Sequence, residues 1–272
     1  MTSQIFEFLQ MYPLVTCALV FLFGLCVGSF LNVCVVRLPK EESVAKGRSH
    51  CPQCGKIIAW YDNIPLLSFL ILRAKCRQCA ESISFRYPLV ELLSGLIWLA
   101  LYHSFGVTIH FVFFAYLASS LMVATFVDFE YKIIPDEVSL GGILVGLSMS
   151  FLFPTLQNEI DRRLALADSC QGMLAGVALI WGIAIFGELV FRKESMGGGD
   201  LKLLAMIGAF LGFKKTLLTF FMAPLLGAPV GLILWKLKDT RYIAFGPYLS
   251  LAALAALFWG DRIWAHFLPY AF

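Results

Sequence analysis

Apolar residues fall in long runs along this chain, broken by short polar turns rather than by the regular alternation of a soluble fold. The first run extends from about Leu14 to Val36. Later ones cover about 89–105, 107–127, 138–156, 169–191, 201–213, 216–236 and 244–268, which makes eight. A bilayer crossing needs about 20 such residues. The pattern therefore predicts an all-α polytopic membrane protein with about eight transmembrane helices. Run 201–213 is short for a crossing and reads as a short helix buried in the bundle, with Lys214 and Lys215 reaching the headgroups.

One polar stretch is large enough to be a subdomain, from about Leu38 to Tyr87 between the first two spans. It contains a short apolar segment, Ile64 to Leu72, expected to pack on a metal site or to lie at the membrane interface. The organisation is then residues 1–37 as the first helix, 38–88 as a loop subdomain, and 89–272 as a helical bundle.

Composition agrees with this. Of 272 residues, 60% are hydrophobic and 14% charged, against about 45–50% and 25% in soluble domains. A net charge of +3 argues against nucleic acid as the main partner; membrane lipid is the surrounding phase. The basic residues orient the chain instead. Arg37 through Arg86 load the large loop, whereas residues 1–13 carry no Lys or Arg. Basic loops stay in the cytoplasm, which puts the loop inside and the N-terminus outside. Arg192, Lys193, Lys236, Lys238 and Arg241 then also fall inside, while Arg162–Arg163 and Lys214–Lys215 fall outside, against the trend.

Two acidic residues stand out against this background. Asp200 follows Met196, Gly197, Gly198 and Gly199 and opens a long apolar run; Asp128 closes the third. The glycines let the backbone bend and let another chain approach. Ionisable groups at membrane depth are costly and are functional candidates by default. On the predicted topology both aspartates sit at the cytoplasmic boundary. Carboxylates that share a site share a proton, so the pair holds a general base beside a general acid, which suits attack of water on a peptide carbonyl. A capping role at a helix end is the plain alternative. Asp136, after Pro135, reads as a helix entry with a structural role. Glu91 and Glu188 either line the site or pair with Lys or Arg at the interface.

Four of the eight cysteines form two C-x-x-C knuckles in the loop, Cys51/Cys54 and Cys76/Cys79. Four thiolates suit a closed tetrahedral Zn²⁺ site. The rivals are two disulfides, which a cytoplasmic setting disfavours, or a redox dithiol. His50 is adjacent, but four thiolates already fill the shell. Cys17, Cys26, Cys34 and Cys170 lie in or beside apolar runs and behave as small hydrophobes.

Together these motifs resemble the type IV prepilin peptidases. Gly197-Gly198-Gly199-Asp200 matches that family's Gly-x-Gly-Asp motif, and Asp128 to Asp136 its partner segment. Gly28 to Val33, Trp60 to Leu66, Arg86 to Glu91 and Phe245 to Tyr248 match its remaining signatures, so nearly the whole chain is covered. The resemblance implies an aspartic endopeptidase of the bacterial inner membrane. It would remove the short basic leader of type IV prepilins and pseudopilins after a glycine at the cytoplasmic face, with Asp128 and Asp200 catalytic. It also implies N-methylation of the new N-terminus with S-adenosyl-L-methionine, for which composition and spacing show no binding residues. The family often has glycine where this chain has Ala74. Two other classes remain open: a presenilin-like intramembrane aspartic protease, which shares a Gly-x-Gly-Asp motif, and a proton-coupled transporter, whose usual internal repeat is missing.

Overall fold

Each apolar run is helical. The computed structural model describes residues 11–191, 197–238 and 244–267; residues 1–10, Arg192, Lys193, Met196 and Arg241, used above for orientation and motif, lie outside them. In chain order the helices are α1 (Pro13–Arg37), a short α2 (Leu67–Ile71), α3 (Arg86–Phe105), α4 (Ile109–Tyr131), α5 (Asp136–Leu152), α6 (Arg162–Phe191), α7 (Gly198–Lys238) and α8 (Gly246–Phe267). Among the described residues there is no strand, only two isolated bridges in the cysteine loop. By length and composition, five helical segments can cross a membrane: Pro13–Lys40, Arg86–Phe105, Ile109–Tyr131, Arg162–Val190 and Gly198–Ile233. At 17 residues, α5 is short for a crossing, and runs 201–213 and 216–236 both lie within α7, as two helices divided by a kink at Gly212.

The chain forms two compact units, residues 1–115 and 116–272. In the first, α1 packs on α3 through small residues, which let backbones approach closely where lipid leaves little hydrophobic drive. A Cβ on Gly28 would lie 2.7 Å from Glu91 Cα, and one on Gly24 2.9 Å from Gly95 Cα. Ser94 Oγ donates to the Gly24 carbonyl at 2.7 Å. Asn32, which needed a partner in the bundle, donates through Nδ2 to the carbonyls of Gly28 (3.3 Å) and Tyr87 (3.1 Å).

In the second unit, the first half of α7 is the core. Leu203, Leu204, Met206, Ile207 and Phe210 are fully buried, as expected of a short helix inside a bundle. Its backbone crosses α6 at Gly172 and Gly208, where a Cβ on either glycine would strike the other's carbonyl. At Gly212 the chain leaves helical geometry with φ 73° and then resumes as a helix. A break at membrane depth requires its freed polar groups to be satisfied by the protein. Gln157 Nε2 donates to the carbonyls of Ala209 and Phe210, Ser169 Oγ to Ala209, and Thr216 Oγ1 to Gly212. Asp168 accepts from the Phe213 amide. Lys215, assigned above to the headgroups, instead pairs with Asp261 at 3.0 Å.

Candidate functional site

Asp128 lies in the last turn of α4 and Asp200 in the first turn of α7. Both belong to the second unit. Asp128 is 6% exposed, and its Oδ2 accepts the Gly246 amide at 2.9 Å. That amide belongs to the first residue of α8, so an anion meets the donor end of a helix. The chain comes so near that a Cβ on Gly246 would lie 2.9 Å from the same oxygen, and the carboxylate would have to shift to admit it. Asp200 is half-buried, and the residue before it, Gly199, lies against Ile134 of the turn that follows Asp128. The two helix ends thus come together despite their separation in sequence.

The turn between α4 and α5 sits against the start of α7. Lys132 turns the chain with φ 58°, and Pro135 precedes α5. The three glycines before Asp200 differ in what they do. A Cβ on Gly199 would lie 3.2 Å from Ile134 Cβ, whereas one on Gly198, the variable position of the motif, meets nothing within 4 Å. Asp136, the helix entry, forms an ion pair with Lys202 at 2.6 Å. Ile134 against Gly199 and Asp136 against Lys202 therefore hold the segment after Asp128 to the residues on either side of Asp200. Lys202 and Ile134 carry no signal of this role in the sequence. Gly246 could be quoted from a motif, but its contact with Asp128 joins positions too distant for any local pattern to show.

In the first unit the four knuckle cysteines converge, every Sγ lying within 4.8 Å of the others. A tetrahedral Zn²⁺ with Zn–S of 2.3 Å needs S···S of about 3.8 Å; Cys51 and Cys79 are 3.9 Å apart. No described cysteine is in a disulfide. The two knuckles have the same build. The Cys51 amide donates to the Lys56 carbonyl and the Gly55 amide to Cys51; the Cys76 amide donates to Glu81 and the Ala80 amide to Cys76. Backbone amides of Cys79 and Gln78 lower the Cys76 thiol, while that of Cys79, against the pull of the Glu81 amide, is raised by desolvation and the neighbouring thiols, so the thiols of the cluster titrate together. Arg77 binds Asp62 through Nε and a terminal nitrogen, with contacts down to 2.6 Å, and so ties the Trp60–Asn63 turn to the second knuckle. His50 is exposed and outside the cluster.

Where the family often has glycine, Ala74 adopts φ 59°, directly after Arg73 at φ 50°. A side chain in this region costs about 1 kcal/mol. Ala74→Gly is expected to stabilise the loop by about that amount, read as a higher unfolding midpoint of the metal-loaded loop by limited proteolysis; an unchanged or lower midpoint would count against the strain.

One further acidic residue behaves differently from the sequence reading. Glu91 does not pair with Lys or Arg among the described residues. It is 9% exposed and accepts the Leu66 amide at 2.8 Å. Glu188 is exposed, and the basic residues that follow it, Arg192 and Lys193, lie outside the described residues. The apolar segment 64–72 is largely exposed, with Leu70 at 70% and Ile71 at 65%, which fits the interface alternative rather than packing on the metal.

Residues 115–232 match the family model described as the type IV leader peptidase family, and residues 22–105 match the bacterial peptidase A24 N-terminal domain. A protein of Stutzerimonas stutzeri named prepilin leader peptidase/N-methyltransferase is 36% identical over 97% of this chain and 98% of its own length. One of the same name from Pseudomonas aeruginosa is 35% identical over 97% and 98%. Another, from Myxococcus xanthus, is 42% identical over 79% of this chain, spanning 62% of the relative. No solved structure matches the chain.

Proposed function

The chain belongs to the type IV leader peptidase family, and on that premise we propose that Asp128 and Asp200 are the paired carboxylates with which it cuts the leader from type IV prepilins and pseudopilins. The observation that carries the assignment is the meeting of the α4 end and the α7 start around these two side chains. One carboxylate, ionised, takes a proton from water as its oxygen attacks the scissile carbonyl. The other, protonated, hydrogen-bonds the carbonyl oxygen and serves the leaving amine. The two titrate together, so the roles belong to the pair. The Gly246 amide holds one oxygen of Asp128; on this reading the other serves the reaction.

The substrate would be a precursor anchored by its own apolar helix, with its basic leader at the cytoplasmic face of the inner membrane and cut between glycine and phenylalanine. The basic cysteine loop on that side and an outward N-terminus complete the reading. In the loop, Cys51, Cys54, Cys76 and Cys79 would hold one structural Zn²⁺, the ion that four converging thiolates suit best. The relatives' shared name adds N-methylation of the newly exposed residue. S-adenosyl-L-methionine, when bound, supplies an electrophilic methyl group on a sulfonium.

A purified-protein assay tests this directly. The full chain in detergent, given a precursor with a basic leader ending in Gly-Phe, should release the leader and, with labelled S-adenosyl-L-methionine, methylate the product. An intact precursor after incubation would remove the peptidase reading. Gly246→Ala is expected to lower the cleavage rate about 100-fold, because the new Cβ pushes the Asp128 carboxylate from its place by a good part of an ångström. Initial rates on the same precursor measure it, and a rate within twofold of wild type would show that the amide does not position the carboxylate.

A further inference from the structure

The α1–α3 interface holds two buried oxygen acceptors that the peptidase chemistry does not use. One is the Glu91 carboxylate, buried in the first unit with no Lys or Arg ion partner among the described residues; it accepts the Leu66 amide. The other is Asn32 Oδ1, which has no hydrogen-bond partner although Asn32 is only 3% exposed. The orientation of that amide is fixed, because Nδ2 donates to two carbonyls; turning it over would set oxygen against oxygen. The two groups lie on adjacent turns of the helix pair. Asn32 bonds Gly28 and Tyr87, and Gly28 packs against Glu91, one turn beyond Tyr87. Leu66, held by Glu91, has φ 59° and ψ −47°, with the Leu67 amide bonded to Pro65 at 2.6 Å. This is a strained three-residue turn that ties the cysteine loop to the carboxylate.

A buried carboxyl group without a cation, one helix turn from a buried amide oxygen without a donor, is costly as it stands. Its natural complement is a small cation rich in N–H groups. We infer that Glu91 and Asn32 hold the newly exposed N-terminal ammonium of the cleaved substrate and that Glu91 takes a proton from it. This rests on the methyl-transfer reading above. The ammonium nitrogen gives one proton to Glu91. Its freed lone pair attacks the methyl carbon of S-adenosyl-L-methionine, the carbon–sulfur bond breaks, and sulfur keeps that electron pair as a neutral thioether. The product is an N-methylammonium, and the proton on Glu91 passes to water. Asn32 Oδ1 accepts a remaining N–H and aims the nitrogen.

The test uses the full chain and a peptide of the mature N-terminus beginning with phenylalanine, which bypasses cleavage. Binding is measured by fluorescence anisotropy for the free-amine and the N-acetylated peptide, and methyl transfer with labelled donor. Wild type should prefer the free amine by about 10-fold, as expected of a charged hydrogen-bonded contact. Glu91→Gln keeps an acceptor for the Leu66 amide but not the charge. It should lose that preference and slow methyl transfer about 100-fold, with bound metal unchanged as the check that the first unit is folded. Glu91→Asp should recover part of both. Equal binding of the two peptides by wild type, or methyl transfer by Glu91→Gln within twofold of wild type, would overturn the assignment. If wild type prefers the free amine but transfers no methyl group, the methyltransferase reading falls while the amine site stands.

Discussion

Asp128→Asn and Asp200→Asn should each slow leader cleavage by about 10⁴-fold, the upper end of what a positioned acid–base group contributes. Asparagine matches aspartate in shape, and its side-chain oxygen at position 128 can still accept the Gly246 amide, so the α4–α8 contact survives. What disappears is the ability to exchange a proton with water or with the leaving amine. A pair that shares one proton cannot work with one member fixed neutral, so the effects should not add. The double variant should be no slower than either single one, as for residues that act as a unit. Cleavage near the wild-type rate by either single variant, or a double variant slower by the product of the two effects, would end the paired-carboxylate account.

Replacing Cys51 or Cys76 by serine should remove the bound metal altogether. Between residues 38 and 85 only Cys51 and Ser68 are buried, so the loop has almost no core of its own. Small metallo-domains of this kind draw their folding free energy from the ion, on the order of 10 kcal/mol. Three thiolates leave an open, weaker site, and the two knuckles then lose what holds them together beyond Lys56 with Gln78 and the exposed Arg77–Asp62 pair. Elemental analysis should fall from about one ion per chain to none, and added protease should cut the loop while the membrane helices resist. A serine variant that keeps its metal and an uncut loop would show that the cysteine quartet is not a metal clamp.

Much of this was legible beforehand, for physical reasons. Lipid demands long apolar helices, so the runs marked where the long helices lie, although α6 begins at Arg162, well ahead of the apolar run read from residue 169. Metal thiolates come in knuckles of fixed local spacing, so Cys51, Cys54, Cys76 and Cys79 could be grouped by inspection. Asp128 and Asp200 were visible because charge at the edge of an apolar run is expensive. Less visible was what each group touches. Glu91 looked like a partner for a basic residue and instead binds a loop amide, and Lys215 looked like a headgroup anchor and instead meets Asp261. In both cases the partner lies in a different element, at a sequence distance on which local pattern has no bearing.

The sequence by itself determined the membrane class, the helical runs, the cysteine quartet and the two acidic candidates, because solvent and ligand chemistry act on composition and short spacing. Only the tertiary structure decided that Gly246 presses its amide on Asp128, that Gly199 makes room for Ile134, that Asp136 answers Lys202, that Asn32 is left with an unanswered oxygen, and that Glu91 binds a loop amide. Those are contacts between distant segments, fixed by how closely glycine-lined helices can approach, and no single segment contains the information.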